Sequence, residues 1–225
     1  LCPELGERGA ETTEARNNLL LKVAKCCKRQ GNYHLACKKY TQAGDKLKAM
    51  KCLLKSGDTQ KICYFAGVSR TREIYILAAN YLQSLDWHSD AGVMKNIVAF
   101  YTKAKAMEQL ASFYDACAQV EIDEYRDYEK ALGALKEAHE YMTKARVQGR
   151  EDKLASLQQR IVHVEAFVNA RKMVKSSPEQ MVAMCHDLLE LRLNRVTIHE
   201  ASADGGPRKP KTYDLDAADA FWAEY

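Results

Sequence analysis

A recurring spacing constrains the fold of this chain more than any other feature. Gly31-x-Tyr33-x-x-Ala36-x-x-x-Tyr40-x-x-Ala43 returns as Gly92-x-Met94-x-x-Ile97-x-x-x-Tyr101-x-x-Ala104. Tyr128, Ala131, Leu135 and Ala138 hold the same offsets without the glycine. Self-similarity of this kind marks stacked helical units, each of which buries its apolar face only against a neighbour. Each position has a physical job. The glycine is expected to end one helix in a left-handed turn that a side chain resists. Ala36, Tyr40 and Ala43, three and four apart, fall on one face of the next helix. The small residues admit a partner helix closely, and the tyrosine fills the space between units.

Gly57-Asp58-Thr59 repeats the turn, with Ile62 and Ala66 at the matching offsets. Pro178, Met181, Cys185 and Leu188 keep the helical periodicity alone. The turn marks at 31, 57, 92 and about 126 compare with a tetratricopeptide period of about 34 residues. Two intervals fit and the first is short, so the array is irregular. The chain has 225 residues, 47% of them hydrophobic, with 4 prolines, 11 glycines and no clean strand alternation. The expected fold is therefore all-α: a right-handed α-solenoid of tetratricopeptide-like helix pairs, about five pairs plus a truncated terminal helix. No apolar run approaches the ~20 residues of a membrane span. The lack of an initiator methionine and of a secretory signal pattern predicts a piece of a longer chain.

The pattern predicts a linker or frayed N-terminus over 1–16, where Pro3, Gly6 and Gly9 interrupt any periodicity. The solenoid is expected over 17–192, beginning with a helix near Asn17 that buries Leu20, Val23, Ala24 and Cys27. Gly67 to Arg70 reads as a turn. Ile74, Leu77, Ala78, Tyr81 and Leu82 form the stripe of the next helix, and Asp90 reads as the cap of its return partner. A further helix is expected from about Tyr125. Ser176-Ser177-Pro178-Glu179 reads as cap, first-turn proline and acidic start. Residues 193–213, with Gly205-Gly206-Pro207 and Pro210, predict a flexible loop, and 214–225 a cut helix carrying Phe221 and Trp222.

The net charge of +4 is unevenly spread. Residues 17–61 hold eleven Lys and Arg against Asp45 and Asp58, a net of +9. Glu121, Asp123, Glu124, Asp127 and Glu129 make an acidic cluster around Arg126. In tetratricopeptide units the first helix of each pair lines the concave groove. Registering on Gly31 and Gly57 turns Lys25, Arg29, Lys51 and Lys55 toward it. These four are the candidate partner-binding residues, for an acidic peptide tail or a phosphoinositide surface. The competing reading is a solvated face that keeps the array soluble. A lysine–asparagine clamp for a C-terminal carboxylate is excluded, because Leu21 and Lys25 occupy its first two positions. No exposed aromatic platform indicates nucleic acid.

Catalytic chemistry needs converging polar groups, and the six histidines are scattered. His139-Glu140 lacks the second histidine of a zinc helix, and no phosphate loop or nucleophile elbow is present. No enzyme activity, cofactor or small-molecule substrate is expected. The eight cysteines include no C-x-x-C pair and read as reduced, buried small hydrophobes. A zinc site from Cys26, Cys27 and Cys37 is the alternative, at a spacing that matches no familiar site. Tyr33, Tyr40, Tyr101 and Tyr128 read as inter-helix packing.

The block Phe100-Tyr101-Thr102-Lys103-Ala104-Lys105-Ala106-Met107-Glu108-Gln109-Leu110, continuing through Phe113-Tyr114-Asp115-Ala116-Cys117 to Tyr125, is highly specific. With Lys22-Val23-Ala24-Lys25-Cys26-Cys27 and Gly31-Asn32-Tyr33-His34-Leu35-Ala36, it resembles the C-terminal tetratricopeptide region of the 140-kDa WD-repeat subunits of intraflagellar transport complex A. The likeness covers about 17–192. It implies a parent with N-terminal propellers and a long helical solenoid, related in architecture to vesicle-coat subunits. It implies a non-catalytic scaffold acting in retrograde ciliary transport and ciliary membrane-protein import, located in the cytoplasm, the cilium or flagellum and the basal body. The partners it implies are other complex A subunits and ciliary cargo adaptors. The alternative is a coat-like or membrane-recruitment module whose basic end meets anionic lipid.

Overall fold

Four left-handed residues at constant spacing organise the first half of the chain. Gly31 (φ 76°), Gly44 (φ 80°), Gly57 (φ 70°) and Arg70 (φ 49°) lie thirteen residues apart. Each is followed by a residue suited to start a helix: Asn32, Asp45, Asp58 and Thr71. Asn32, Asp45 and Asp58 accept the amides of Leu35 (3.3 Å), Lys48 (2.9 Å) and Lys61 (3.1 Å), which satisfies donors a helix start leaves open. Thr71 makes no such bond, and its hydroxyl donates back to the Ser69 carbonyl at 3.0 Å. One left-handed residue and one cap thus reverse the chain. The 26 residues from Gly31 to Gly57 hold two such helix-and-turn units, which accounts for the short first interval.

In this computed structural model the backbone of residues 4–193, 197–198 and 211–212 is described, with side chains over 12–189. Among the described residues the helices are α1 (Glu4–Arg29), α2 (Tyr33–Gln42), α3 (Lys46–Ser56), α4 (Thr59–Ser69), α5 (Arg72–Gln83), α6 (Ala91–Ala104), α7 (Met107–Asp123), α8 (Tyr128–Lys144), α9 (Arg150–Met173) and α10 (Pro178–Leu193). The fold is all-α and tetratricopeptide-like. The chain divides into two units, Leu1–Leu110 and Ala111–Tyr225.

In the first unit α1 packs on α2, α2 on α3, α3 on α4 and α5, α4 on α5, and α5 on α6. Ala24, Ala36, Ala49, Ala66 and Ala78 are fully buried, letting backbones approach, while Tyr40, Met50, Ile62, Ile74, Leu82 and Tyr101 fill the space between them. An end-to-end device recurs in two pairs. Lys46 opens α3 and donates to the carbonyl of Ser69, the last residue of α4, at 3.4 Å. Arg72 opens α5 and donates to the carbonyl of Ala104, the last residue of α6, at 3.1 Å. An antiparallel pair sets the start of one helix beside the end of the other, and the cation meets the negative end of the dipole there. Tyr81 of α5 donates to the Gly57 carbonyl at 3.1 Å, tying α5 to the α3–α4 turn.

In the second unit α9 packs on both α8 and α10. Phe113, Cys117, Leu135, Ala138, Leu157, Ile161 and Val168 form its core. Tyr114 of α7 stacks on Tyr141 of α8, with ring centroids 5.5 Å apart. Arg160 of α9 reaches α7, pairing with Asp115 and donating to Gln119 at 3.0 Å. Lys136 and Glu165 join α8 to α9 at 2.9 Å.

Several expectations need correction. The helix expected near Asn17 begins at Glu4. Pro3 is the last proline before it, and two glycines lower its propensity by roughly 1 kcal/mol each without interrupting it. On α1, Ala24 and Cys27 are buried but Val23 is exposed, since α1 packs chiefly on α2 and presents a narrow apolar face. Gly92 does not end a helix. It lies in the first turn of α6, where Asp90 Oδ1 accepts the amides of Gly92 (2.8 Å) and Val93 (3.2 Å). A Cβ there would stand 3.0 Å from that oxygen, so glycine keeps the cap undisturbed. Gly67 continues α4, and the turn is left to Arg70. The α8 helix starts at Tyr128, because left-handed Arg126 and the capping carboxylate of Asp127 occupy the turn before it. Within the expected 193–213 loop, Thr197–Ile198 (β1) pairs antiparallel with Lys211–Thr212 (β2), Thr197 opposite Thr212. The terminal helix with Phe221 and Trp222 lies outside the described residues.

Candidate functional site

Lys25 and Arg29 stand four apart on α1, and Lys51 and Lys55 four apart on α3, so each pair forms one stripe of its helix. All four are exposed, over the buried Ala24, Cys27, Cys52 and Leu53. Among the described residues none of the four has an ion-pair partner. Their neighbours differ: Lys48 bonds Asp45 at 2.5 Å and Lys61 bonds Asp58 at 2.7 Å. Lys28, which the register from the sequence leaves out, is exposed as well. Burial pushes the Cys52 thiol up, and the charges of Lys28 and Lys55 pull it partly back. Lys28 of α1 and Lys55 of α3 therefore both bear on the Cys52 sulfur.

The other predicted residues serve packing. Tyr40 and Tyr101 are buried, and the Tyr101 hydroxyl donates to Asn80 Oδ1 at 2.6 Å. Tyr128 meets Phe167 edge-on at 4.6 Å. Cys27, Cys37, Cys52 and Cys117 are buried, and burial raises the thiols of Cys37 and Cys63 and lifts that of Cys117 to about 12. Such thiols stay protonated and pack as small hydrophobes. Cys26 is exposed while Cys27 and Cys37 are buried, so the three do not converge as a zinc ligand set. Among the described residues no group of three or more His, Cys, Asp or Glu is placed to hold a metal, and no helix is long and apolar enough to cross a membrane.

The helix caps carry the pH response. The side chain of Lys61, then its amide, hold the Asp58 carboxyl below its usual range. The amide of Lys130, then its side chain, do the same for Asp127. At Asp45, burial raises the carboxyl, but Lys48 and the charge of Lys51 outweigh it and the net direction is down. Each group binds its proton more weakly folded than unfolded. The stabilisation is complete above the ordinary carboxylate pKa and is lost as pH falls through the folded value. The melting temperature is expected to fall on acidification below about pH 4. The Asp58→Asn/Asp127→Asn variant should fall less steeply, since asparagine still caps but does not titrate. Superimposable acid profiles would remove these caps from the account.

Comparison with known families gives two matches. Residues 3–100 match the TPR domain shared by IFT140 and IFT172, and residues 108–200 match the IFT140 C-terminal TPR domain. The boundary between the matches falls at the last residues of α6 and the first of α7.

Proposed function

Because this chain belongs to the IFT140 family of tetratricopeptide regions, we propose that it is a non-catalytic scaffold and interaction segment of the intraflagellar transport A complex. In this reading it acts in retrograde ciliary transport and ciliary membrane-protein import, at the cilium or flagellum and the basal body. Its partners are other complex A subunits, with ciliary cargo adaptors as further ones. The mechanism is rigid display: helix pairs bury a shared core, and their outer side chains dock partners.

The observation that supports this best is the two exposed basic stripes, Lys25–Arg29 on α1 and Lys51–Lys55 on α3, which have no ion-pair partner among the described residues and lie over a close-packed core of small side chains. Free cations on a rigid support lose little freedom on binding and steer an acidic partner toward them. The Lys25→Glu/Arg29→Glu/Lys51→Glu/Lys55→Glu variant should melt like wild type. In mass photometry with the other complex A subunits, it should assemble at least about tenfold more weakly at physiological salt. Unchanged assembly would take the stripes out of the interface. Liposome flotation addresses the membrane reading: salt-sensitive binding to anionic vesicles with no subunit binding would replace the scaffold assignment.

A further inference from the structure

A cavity of about 520 Å³ lies in the second unit, where the α7–α8 turn faces the last turn of α9. Its charges are accounted for by ion pairs, with two exceptions. Asp127 accepts the Lys130 amide at 3.0 Å and pairs with Lys130 Nζ at 2.9 Å. Glu129 pairs with Lys172 across the cavity at 3.2 Å. Arg126 and Arg171 also line it, and among the described residues neither has a carboxylate partner.

The two arginines are held differently. Arg126 sits at φ 55°, a turn geometry it shares with Arg70 and Lys105, so its backbone belongs to the turn. What sets it apart is the cavity it lines. Arg171 lies over the Tyr128 ring at 5.5 Å, and that ring is fixed edge-on against Phe167. Its guanidinium is therefore oriented before any ligand arrives. Tyr125 and Val168 supply apolar wall beside the two forks.

We propose that this cavity binds an acidic side chain, aspartate or glutamate, presented beside an aromatic or apolar residue of a partner protein. Two unpaired guanidiniums suit a planar carboxylate, which accepts both donors of a fork. Arg126, Arg171 and Tyr125 are all exposed, which fits a side chain projecting from a docked surface. A carboxylate is favoured over a phosphate because Asp127 and Glu129 line the same cavity and repel a dianion more strongly than a monoanion. The site lies apart in sequence from the α1 and α3 stripes and stands without them.

The test is fluorescence anisotropy with a fluorescein-labelled Gly-Glu-Phe-Glu-Gly peptide. The full chain carries the four stripe reversals, so that the stripes cannot capture the probe. Binding is expected, and Arg171→Gln and Arg126→Asn should each weaken it at least about tenfold. Asparagine tolerates the left-handed backbone, so the second variant keeps the turn. Arg171→Lys, which keeps the charge and loses the fork, should fall between wild type and Arg171→Gln. Melting curves run alongside show that the variants are folded. The same peptide with glutamine for glutamate should not bind. Absence of binding, or equal binding by folded Arg126→Asn and Arg171→Gln chains, overturns the site. Tighter binding of the phosphoserine peptide than of the glutamate peptide overturns its assignment to carboxylates.

Discussion

Tyr101→Ala is expected to lower the unfolding free energy by about 3–5 kcal/mol. The side chain is 1% exposed, among the largest of the fully buried residues. It occupies the aromatic position of the recurring spacing, between α5 and α6, and its hydroxyl donates to Asn80 Oδ1 at 2.6 Å. Truncation empties the volume and leaves the Asn80 carbonyl without its donor. Tyr101→Phe separates the two effects: it keeps the ring and removes only the hydroxyl, for a loss of about 1 kcal/mol. Urea titrations of the two variants give both numbers. A Tyr101→Ala chain within about 1 kcal/mol of wild type would show that this position does not join the helix pair, and the repeat register would fall with it.

Phe113→Ala should cost the second unit a similar amount, about 3–5 kcal/mol. Phe113 is 2% exposed and lies 6.0 Å from Tyr114, which in turn stacks on Tyr141. Burial first, then the nearby Tyr141, Glu137 and Cys117, push the Tyr114 phenol up to about 12. That gives a second readout. In an alkaline titration of the wild type the Tyr114 phenol should resist ionisation until about pH 12. In the variant, water reaches the vacated site and this phenol should titrate nearer its ordinary value. Full stability with an unchanged titration would contradict the packing of α7 on α8.

Much of this fold is legible in the sequence where a residue type has one physical use. Gly31 and Gly57 mark left-handed turns because glycine adopts that backbone without strain. Asp90 announces a cap, and Pro178 opens α10 because a first-turn residue needs no amide donor. Gly44-Asp45 carries the same signal as Gly57-Asp58 and was open to the same reading. Including it exposes the thirteen-residue interval that the longer period hides. Other turns leave no such mark. Arg70, Lys105 and Arg126 take left-handed backbones with side chains that do not advertise them. Gly92 misleads because a glycine serves a cap as readily as a turn.

The candidate sites divide the same way. Spacing along a helix was enough to place Lys25, Arg29, Lys51 and Lys55 on exposed stripes. The meeting of Arg126 and Arg171 at one cavity depends on which elements pack together. Residues 126 and 171 are far apart in sequence, and only the contact of the α7–α8 turn with α9 makes them neighbours. Long-range placement of this kind has no periodic signature to read.

We propose above all that this chain works by surface contact with other subunits of the intraflagellar transport A complex. A pull-down of the purified chain against each complex A subunit in turn, at physiological salt, tests it most directly. Retention of at least one subunit, lost when Lys25, Arg29, Lys51 and Lys55 are reversed to glutamate, is the expected result. A folded chain that retains none of them would contradict the claim.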